Sequence, residues 1–187
     1  MEAISLAPFP PGKGAIPPIR GRLAQFGVTL RTAGAGDMPF LGRLYAGTRA
    51  AELLAAPWSP AQKAAFCGSQ FALQHADYVR RFPRGDYWIL TQRLDGIARD
   101  IGRLWVERGT KAWRVIDIIV AVEARGQGLG AALVQWVQAS AASAGAEAVD
   151  LSVLTGITRA RALYLRLGFQ DSGDGDGLYR QMRWRPA

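Results

Sequence analysis

The stretch Val120-Ala121-Val122-Glu123-Ala124-Arg125-Gly126-Gln127-Gly128-Leu129-Gly130-Ala131 decides the reading of this 187-residue chain. A nearly continuous apolar segment, 113–122, runs into three glycines at alternate positions and then into a helical pattern carrying Leu133, Val134, Trp136 and Val137. Glycines let backbone N–H groups approach an anion closely. The first turn of a helix leaves its N–H groups unpaired at the positive end of the macrodipole, and a pyrophosphate fits that arrangement. Three loops compete. A Walker A loop needs Gly-Lys-Ser/Thr, and Gly130-Ala131-Ala132 stands there instead. Gly126, Gly128 and Ala131 satisfy the dinucleotide pattern G-x-G-x-x-A, with Glu147 or Asp150 about 20 residues on. That pattern belongs to a parallel, doubly wound sheet, whereas a strand meander precedes this loop and only about sixty residues follow it. The third loop, Arg/Gln-x-x-Gly-x-Gly/Ala, is filled by Arg125, Gly128 and Gly130.

Upstream of the loop, 26–31 reads as a short strand rich in β-branched and apolar residues. Asp37 stands at an N-cap position before a helix with Phe40, Leu41, Leu44 and Tyr45, which Pro57 ends. Ser59, Pro60 and Gln62 form a second helix start, with an N-cap serine, proline at the first helical position and a capping-box glutamine. That helix stops before Pro83. The runs 86–92, 101–107 and 113–122 read as a strand meander with antiparallel neighbours, and the last reads as buried on both faces. Downstream, 149–154 is a strand, 158–167 a helix stopped by Gly168, and short strands lie near Phe169 and at 178–184. The order gives a mixed α/β (α+β) domain with a partly antiparallel central sheet flanked by helices. Residues 1–24 hold five of the ten prolines and are expected to be a mobile tail before a domain at 25–187; the alternative is an arm docked on a partner subunit, which implies a homodimer.

Composition narrows the classes. A single cysteine, Cys67, excludes an intrachain disulfide framework and a cysteine-based zinc site, and a single histidine, His75, excludes a histidine-rich metal site. No metal is expected. No apolar run has membrane-spanning or signal-peptide length, so neither a membrane span nor secretion is expected and the cytoplasm is the default. Of 23 cations only Lys13, Lys63 and Lys111 are lysine, and the net charge is +8. The cations are scattered and not gathered into a basic arm, which argues against nucleic acid as the partner.

The loop resembles the acetyl-CoA pyrophosphate loop of the GNAT superfamily of N-acetyltransferases. A second block agrees: Ala160-Arg161-Ala162-Leu163-Tyr164-Leu165-Arg166-Leu167-Gly168-Phe169 resembles the family's C-terminal block A-x-x-L-Y-x-x-x-G-F, about thirty residues after the first. The resemblance covers residues 26 to 184. It implies a splayed central strand pair holding acetyl-CoA, with Asp117, Ile118, Ile119 and Val120 on the strand that lines the slot. It implies that Arg125, Gly126, Gln127, Gly128, Leu129, Gly130 and Ala131 hold the pyrophosphate and that Ala160 borders the cofactor. It also implies that Tyr164 reaches the cofactor sulfur and protonates the departing thiolate. The resemblance implies that the acceptor is a primary amine, of a small molecule or of a protein.

Spacing alone gives other readings for the same residues. Ala160, Leu163, Tyr164 and Leu167 form an i, i+3, i+4, i+7 stripe, which by itself says core. Asp117 in an apolar strand must be paired or functional, because a lone buried carboxylate is costly. It is expected as a general base, an anchor for the acceptor ammonium, or half of an ion pair with an arginine. His75 reads as a surface or half-buried histidine and Cys67 as a small core residue. Two positions depart from the family's pattern. Ser152 stands where several members carry a glutamate base, which leaves Glu107, Glu123 or water as proton acceptors. Ile157 stands where many carry an asparagine bonded to the cofactor arm, leaving Thr155 or Thr158 as substitutes. These departures keep a rival reading open, a non-catalytic acyl-CoA-binding or sensing module on the same fold.

Overall fold

The computed structural model describes residues 6–173 and 177–186. Along the chain run α1 (Gly21–Gln25), β1 (Val28–Thr32), a 3-10 turn (Ala35–Asp37), α2 (Met38–Leu53), α3 (Pro60–Arg81), β2 (Asp86–Leu94), β3 (Ile97–Arg108) and β4 (Ala112–Val120). After a second 3-10 turn (Val122–Ala124) come α4 (Leu129–Ser143), β5 (Ala148–Leu154), α5 (Thr158–Arg166), β6 (Gln170–Asp171) and β7 (Tyr179–Trp184). Among the described residues the strands form one sheet in the order β1-β2-β3-β4-β5-β7-β6. Every neighbouring pair is antiparallel except β4 and β5, which need the α4 crossover to run parallel. The Gly-Asp alternation at 173–177 reads as a turn, and its residues 174–176 lie outside the described residues.

Local signals act where they stand. Ser59 Oγ accepts from Gln62 N–H while Gln62 Oε1 accepts from Ser59 N–H, so the capping box starts α3, which runs unbroken for 22 residues. Asp37 precedes α2 but does not cap it with its side chain; its carboxylate accepts from Gly34 N–H and from Arg31. Asp95 and Gly96, both at positive φ, close the β2–β3 hairpin.

Helices cover both faces of the sheet. On one, α1, α4 and Phe169 pack with Trp88, Leu90, Leu104 and Val106, and Ala160, Tyr164 and Leu167 of α5 join them. On the other, α2 and α3 pack with Tyr87, Ile89 and Trp105. The strand buried on both faces is therefore β2, whose residues from Asp86 to Leu90 are all buried. The expectation that 113–122 is buried on both faces is corrected: β4 buries Trp113 and Val115, but Ile116 to Val120 are half-buried. The cause is a divergence of strands. The β4–β5 pairing covers only Ala112–Val115 against Ala148–Leu151, and among the described residues no strand pairs with that edge of β4 beyond Val115.

The N-terminal segment is not a mobile tail from residue 6 onward; residues 1–5 lie outside the described residues. Leu23 is 1 % exposed, Ile16 and Ile19 pack on the α4-side core, and Leu6 and Phe9 on the other. Proline-rich backbone docks here because its carbonyls find donors: Trp136 Nε1 donates to Pro18 O at 3.0 Å and Arg108 Nη1 to Ala15 O at 3.0 Å. Lys13 N–H in turn donates to the buried Asp86 carboxylate, which is ion-paired with Arg108. The apolar residues Leu6, Phe9, Ile16, Ile19 and Leu23, spread along the arm, were the signal that proline content masked.

The arm also buries His75, against the expectation of a surface or half-buried histidine. His75 is fully buried, Phe9 packs edge-on to its ring, and Nε2–H donates to Ala7 O at 2.7 Å. Burial, with the positive charge of Arg103, pushes its pKa below the ordinary 6.5, against the opposing effect of the Ala7 bond. The unfolded chain binds a proton below pH 6.5 that the folded chain resists. This contribution to stability is whole above pH 6.5 and is lost as pH falls from there through the folded value. Denaturant midpoints measured from pH 7.5 to 5 should fall in the wild type, with a shallower fall in His75→Gln; parallel profiles would show that His75 takes no part.

Candidate active site

A β-bulge sets the site. Trp105 stands opposite Asp117 and Val106 opposite Val115, so Ile116 is the extra residue of β4. One extra residue exchanges the faces of everything after it. Trp113 and Val115 point to the α4 side; after the bulge Ile118 and Val120 take that side, while Ile116, Ile119 and Ala121 face α2 and α3. Asp117 thereby turns toward α3. Its Oδ2 accepts from Arg103 Nε at 2.5 Å, and Arg103 Nη2 donates to Gln74 Oε1 of α3 at 2.8 Å. Arg103 is fully buried, its guanidinium 4.1 Å from the Trp105 ring centroid, and the Asp117 side chain is 18 % exposed. Of the roles expected for Asp117, the ion pair is the one the geometry realises.

The freed edge of β4 carries backbone groups toward the gap. Ala121 N–H donates to Ile101 O of β3 at 2.8 Å. Alternation then turns Ile119 toward β3 as well and turns Ile118 and Val120 toward the gap left by β5. Of the strand residues expected to line the slot, Ile118 and Val120 thus turn their N–H groups toward the gap and Ile119 does not. Val120 O, on the gap side, accepts from Arg125 Nε at 2.7 Å, which folds the loop back on its strand.

The loop leads into α4. Gly126 and Gly128 have φ of 83° and 89°, and Gly128 is the N-cap of α4. The first intrahelical bond is Ala132 N–H to Gly128 O, leaving the N–H groups of Leu129, Gly130 and Ala131 without intrahelical partners. The first turn holds no acidic residue. Leu129 buries its side chain in the core while Gln127 is exposed. A Cβ at Gly126 or Gly130 would meet nothing within 4 Å. A cradle of unpaired N–H groups open on its outer side fits a pyrophosphate.

Tyr164 stands on α5, one turn after the half-buried Ala160, with its ring 5.7 Å from that of Phe169. Burial, and then the negative charge of Asp117, raises its pKa above 10. Tyr78 of α3 is raised for the same two reasons in the same order. Ser152 accepts from Arg114 Nη2 at 2.6 Å and donates to Gln181 Oε1 at 2.8 Å. Thr155 Oγ1 lies 3.0 Å from Gly177 O, to which it donates, and Ile157 is exposed at the start of α5. Glu123 is exposed in the turn before the loop, and Glu107 stands opposite Arg114, on the paired side of the bulge. Arg103, Gln74 and Tyr78 were missed from sequence. For Arg103 the signal was present, a charged residue inside the apolar run 101–107.

Among the described residues, no group of three or more His, Cys, Asp or Glu side chains could hold a metal ion, and no helix is long and apolar enough to cross a membrane.

The family model of the acetyltransferase (GNAT) domain matches residues 83–171, from the start of β2 to β6. No curated protein matches the sequence. Among solved structures, the PaiA N-acetyltransferase of Thermoplasma acidophilum in complex with coenzyme A is similar over 85 % of this chain and 99 % of its own, with 13 % identity and a TM-score of 0.61. An acetyltransferase from Thermus thermophilus is similar over 85 % and 97 %, with 16 % identity and a TM-score of 0.62. The spermidine N-acetyltransferase of Vibrio cholerae in complex with CoA and spermine is similar over 85 % and 95 %, with 17 % identity and a TM-score of 0.56. Residues 83–171, which hold the sheet's split beyond Val115 and the loop entering α4, match the acetyltransferase (GNAT) domain, and the chain shares the fold of these solved acetyltransferases.

Proposed function

We propose that the chain is an N-acetyltransferase that moves the acetyl group of acetyl-CoA directly to a primary amine in a ternary complex. The observation that carries the reading is the gap beyond Val115, from which β4 runs into the cradle of unpaired N–H groups at the start of α4. Acetyl-CoA, when bound, supplies an activated thioester. The unpaired N–H groups of Leu129, Gly130 and Ala131 hold its pyrophosphate, with Arg125, Gly126, Gln127 and Gly128 shaping the loop. The N–H groups of Ile118 and Val120 polarise the thioester carbonyl as negative charge develops there. The Tyr164 phenol, protonated at neutral pH, gives its proton to the departing sulfur. Asp117, compensated by Arg103, serves as an anchor for the acceptor's ammonium and not as its base. The ammonium gives one proton to water before the amine attacks, and the proton that the nitrogen sheds as the C–S bond breaks restores the Tyr164 phenol. Ser152 is occupied by Arg114 and Gln181 and is no base either. Holding both reactants in line supplies much of the rate. The likeness to an enzyme named for spermidine supports an amine as acceptor.

Thiol release from acetyl-CoA, measured across polyamines, amino acids, aminoglycosides and peptide N-termini, tests the proposal. The expected result is release that depends on one amine class. Tight CoA binding with no turnover of any amine would favour the acyl-CoA-binding module, to which the Ser152 and Ile157 departures point.

The cradle gives a separate expectation. Gly128→Ala sets a side chain at φ 89°, with its Cβ 2.9 Å from Arg22 Nη2. The left-handed conformation costs a non-glycine residue about 1–2 kcal/mol. Calorimetric titration should find CoA affinity lowered about tenfold, since about 1.4 kcal/mol is one decade. Affinity equal to wild type would show that the loop does not hold the cofactor.

A further inference from the structure

The N-terminal arm leaves a guanidinium in an electrostatically odd position. Gly128 has room above it that Arg22 fills: an added Cβ would lie 2.9 Å from Arg22 Nη2 and 3.6 Å from its Cζ. Arg22 thus hangs over the N-cap of α4, a 15-residue helix whose N-terminus already carries partial positive charge and whose first turn has no acidic residue. Arg125 adds a second cation close before the helix start, with its Nε committed to Val120 O. Among the described residues no carboxylate pairs with Arg22. A cation belongs at a helix C-terminus, and two cations beside a helix N-terminus repel both it and each other unless an anion lies between them.

The arrangement is held in place. Leu23, next in sequence, is 1 % exposed in the core. Pro18 is tied to Trp136 of α4. Arg20 and Arg22 line one wall of a groove of about 460 Å³ whose other wall includes Ala132, Gln135 and Trp136. Elsewhere many of the chain's arginines are matched: Arg31, Arg103, Arg108, Arg161 and Arg183 each meet a carboxylate. Arg22 is instead built toward the cradle without one.

We infer that Arg22 is a ligand of the cofactor's pyrophosphate, reaching from the N-terminal arm across Gly128 to close the α4 cradle from the side opposite Arg125. The inference rests on the acetyl-CoA reading above. It gives the arm a role in binding, and it assigns one of the surplus cations to the anion that neutralises it. A charge-assisted hydrogen bond to phosphate is the interaction.

The test is calorimetric titration of the full chain with CoA, with 3′-dephospho-CoA and, by competition, with pantetheine, for wild type, Arg22→Gln and Arg22→Lys. Circular dichroism confirms that each variant folds, as an exposed side chain allows. Arg22→Gln should weaken CoA and dephospho-CoA alike, by about tenfold. It should leave pantetheine unchanged, and Arg22→Lys should fall between. Raising the salt should narrow the difference between wild type and Arg22→Gln. Equal CoA affinity in Arg22→Gln overturns the inference while leaving the acetyl-CoA reading intact. A loss for CoA but not for dephospho-CoA moves Arg22 to the 3′-phosphate and overturns the pyrophosphate assignment. A loss that extends to pantetheine makes Arg22 a structural support and overturns it too. Failure of the wild type to bind CoA at all overturns both this inference and the reading beneath it.

Discussion

Tyr164→Phe is expected to lower kcat by about 10²- to 10⁴-fold, the range of a general acid lost from its transition state, with CoA affinity and thermal stability close to wild type. The separation of effects follows from the site. The ring of Tyr164 packs against the α4-side core and against Phe169, and phenylalanine keeps that packing. What the substitution removes is one ionisable hydroxyl. Burial and the charge of Asp117 hold that hydroxyl protonated to higher pH than an ordinary tyrosine. The acid form is therefore whole at neutral pH and is lost only as pH rises through a value above 10. An alkaline fall in kcat below that value would have to come from another group. Steady-state thiol release with the accepted amine, set beside a calorimetric Kd for CoA, measures both halves. A kcat within a fewfold of wild type would take Tyr164 out of the proton transfer. A parallel loss of CoA affinity would return it to the core stripe that its spacing alone suggests.

What could be read in the chain without its fold was local chemistry. The glycine loop, the block ending at Gly168-Phe169 and the capping box at Ser59 each depend on residues within a few positions of one another, and each stands in the structure as its spacing implied. What could not be read depends on register. No sequence pattern marks Ile116 as a bulge, yet that residue decides which face Asp117 takes and hence that Arg103, fourteen positions away, is its partner. The same blindness made β4 look buried on both faces: its residues are apolar enough for that, but β5 departs after Val115 and exposes the edge. Composition misled in the arm. Proline argued for a chain that cannot bury itself, while five spaced apolar residues and a row of backbone carbonyls dock it on both cores. The charge surplus was legible as a number and not as a site, because no sequence pattern shows that Arg22 overhangs Gly128.

Asp117→Ala should destabilise the fold outright, by about 3–5 kcal/mol, the cost of leaving one member of a buried ion pair alone. At about 2–4 °C per kcal/mol for a domain of this size, the melting temperature falls by about 10 °C. The reasoning turns on Arg103. Its side chain is fully buried, Nε is held by Asp117, Nη2 by Gln74, and Nη1 has no hydrogen-bond partner among the described residues. The Trp105 ring beneath it offers a cation–π surface but no counter-charge. Without Asp117 a guanidinium cannot shed its proton and must stay charged in an apolar setting. Asp117→Asn keeps a carbonyl oxygen to accept from Nε while removing the charge, so its loss should be smaller. Replacing the pair together, Asp117→Leu with Arg103→Met, removes the buried cation with its partner and should recover most of the stability lost in Asp117→Ala, because apolar side chains of similar size often substitute for buried pairs at no net cost. Thermal denaturation of the three variants reads all of this. A wild-type melting temperature in Asp117→Ala would mean that Arg103 is solvated and that the pair does not hold the sheet. The same series divides structure from chemistry: Asp117→Asn, if it melts near the wild type but loses kcat/KM for the amine without losing CoA affinity, leaves the carboxylate's charge as the anchor of the acceptor ammonium, a role that a merely structural pair would not produce.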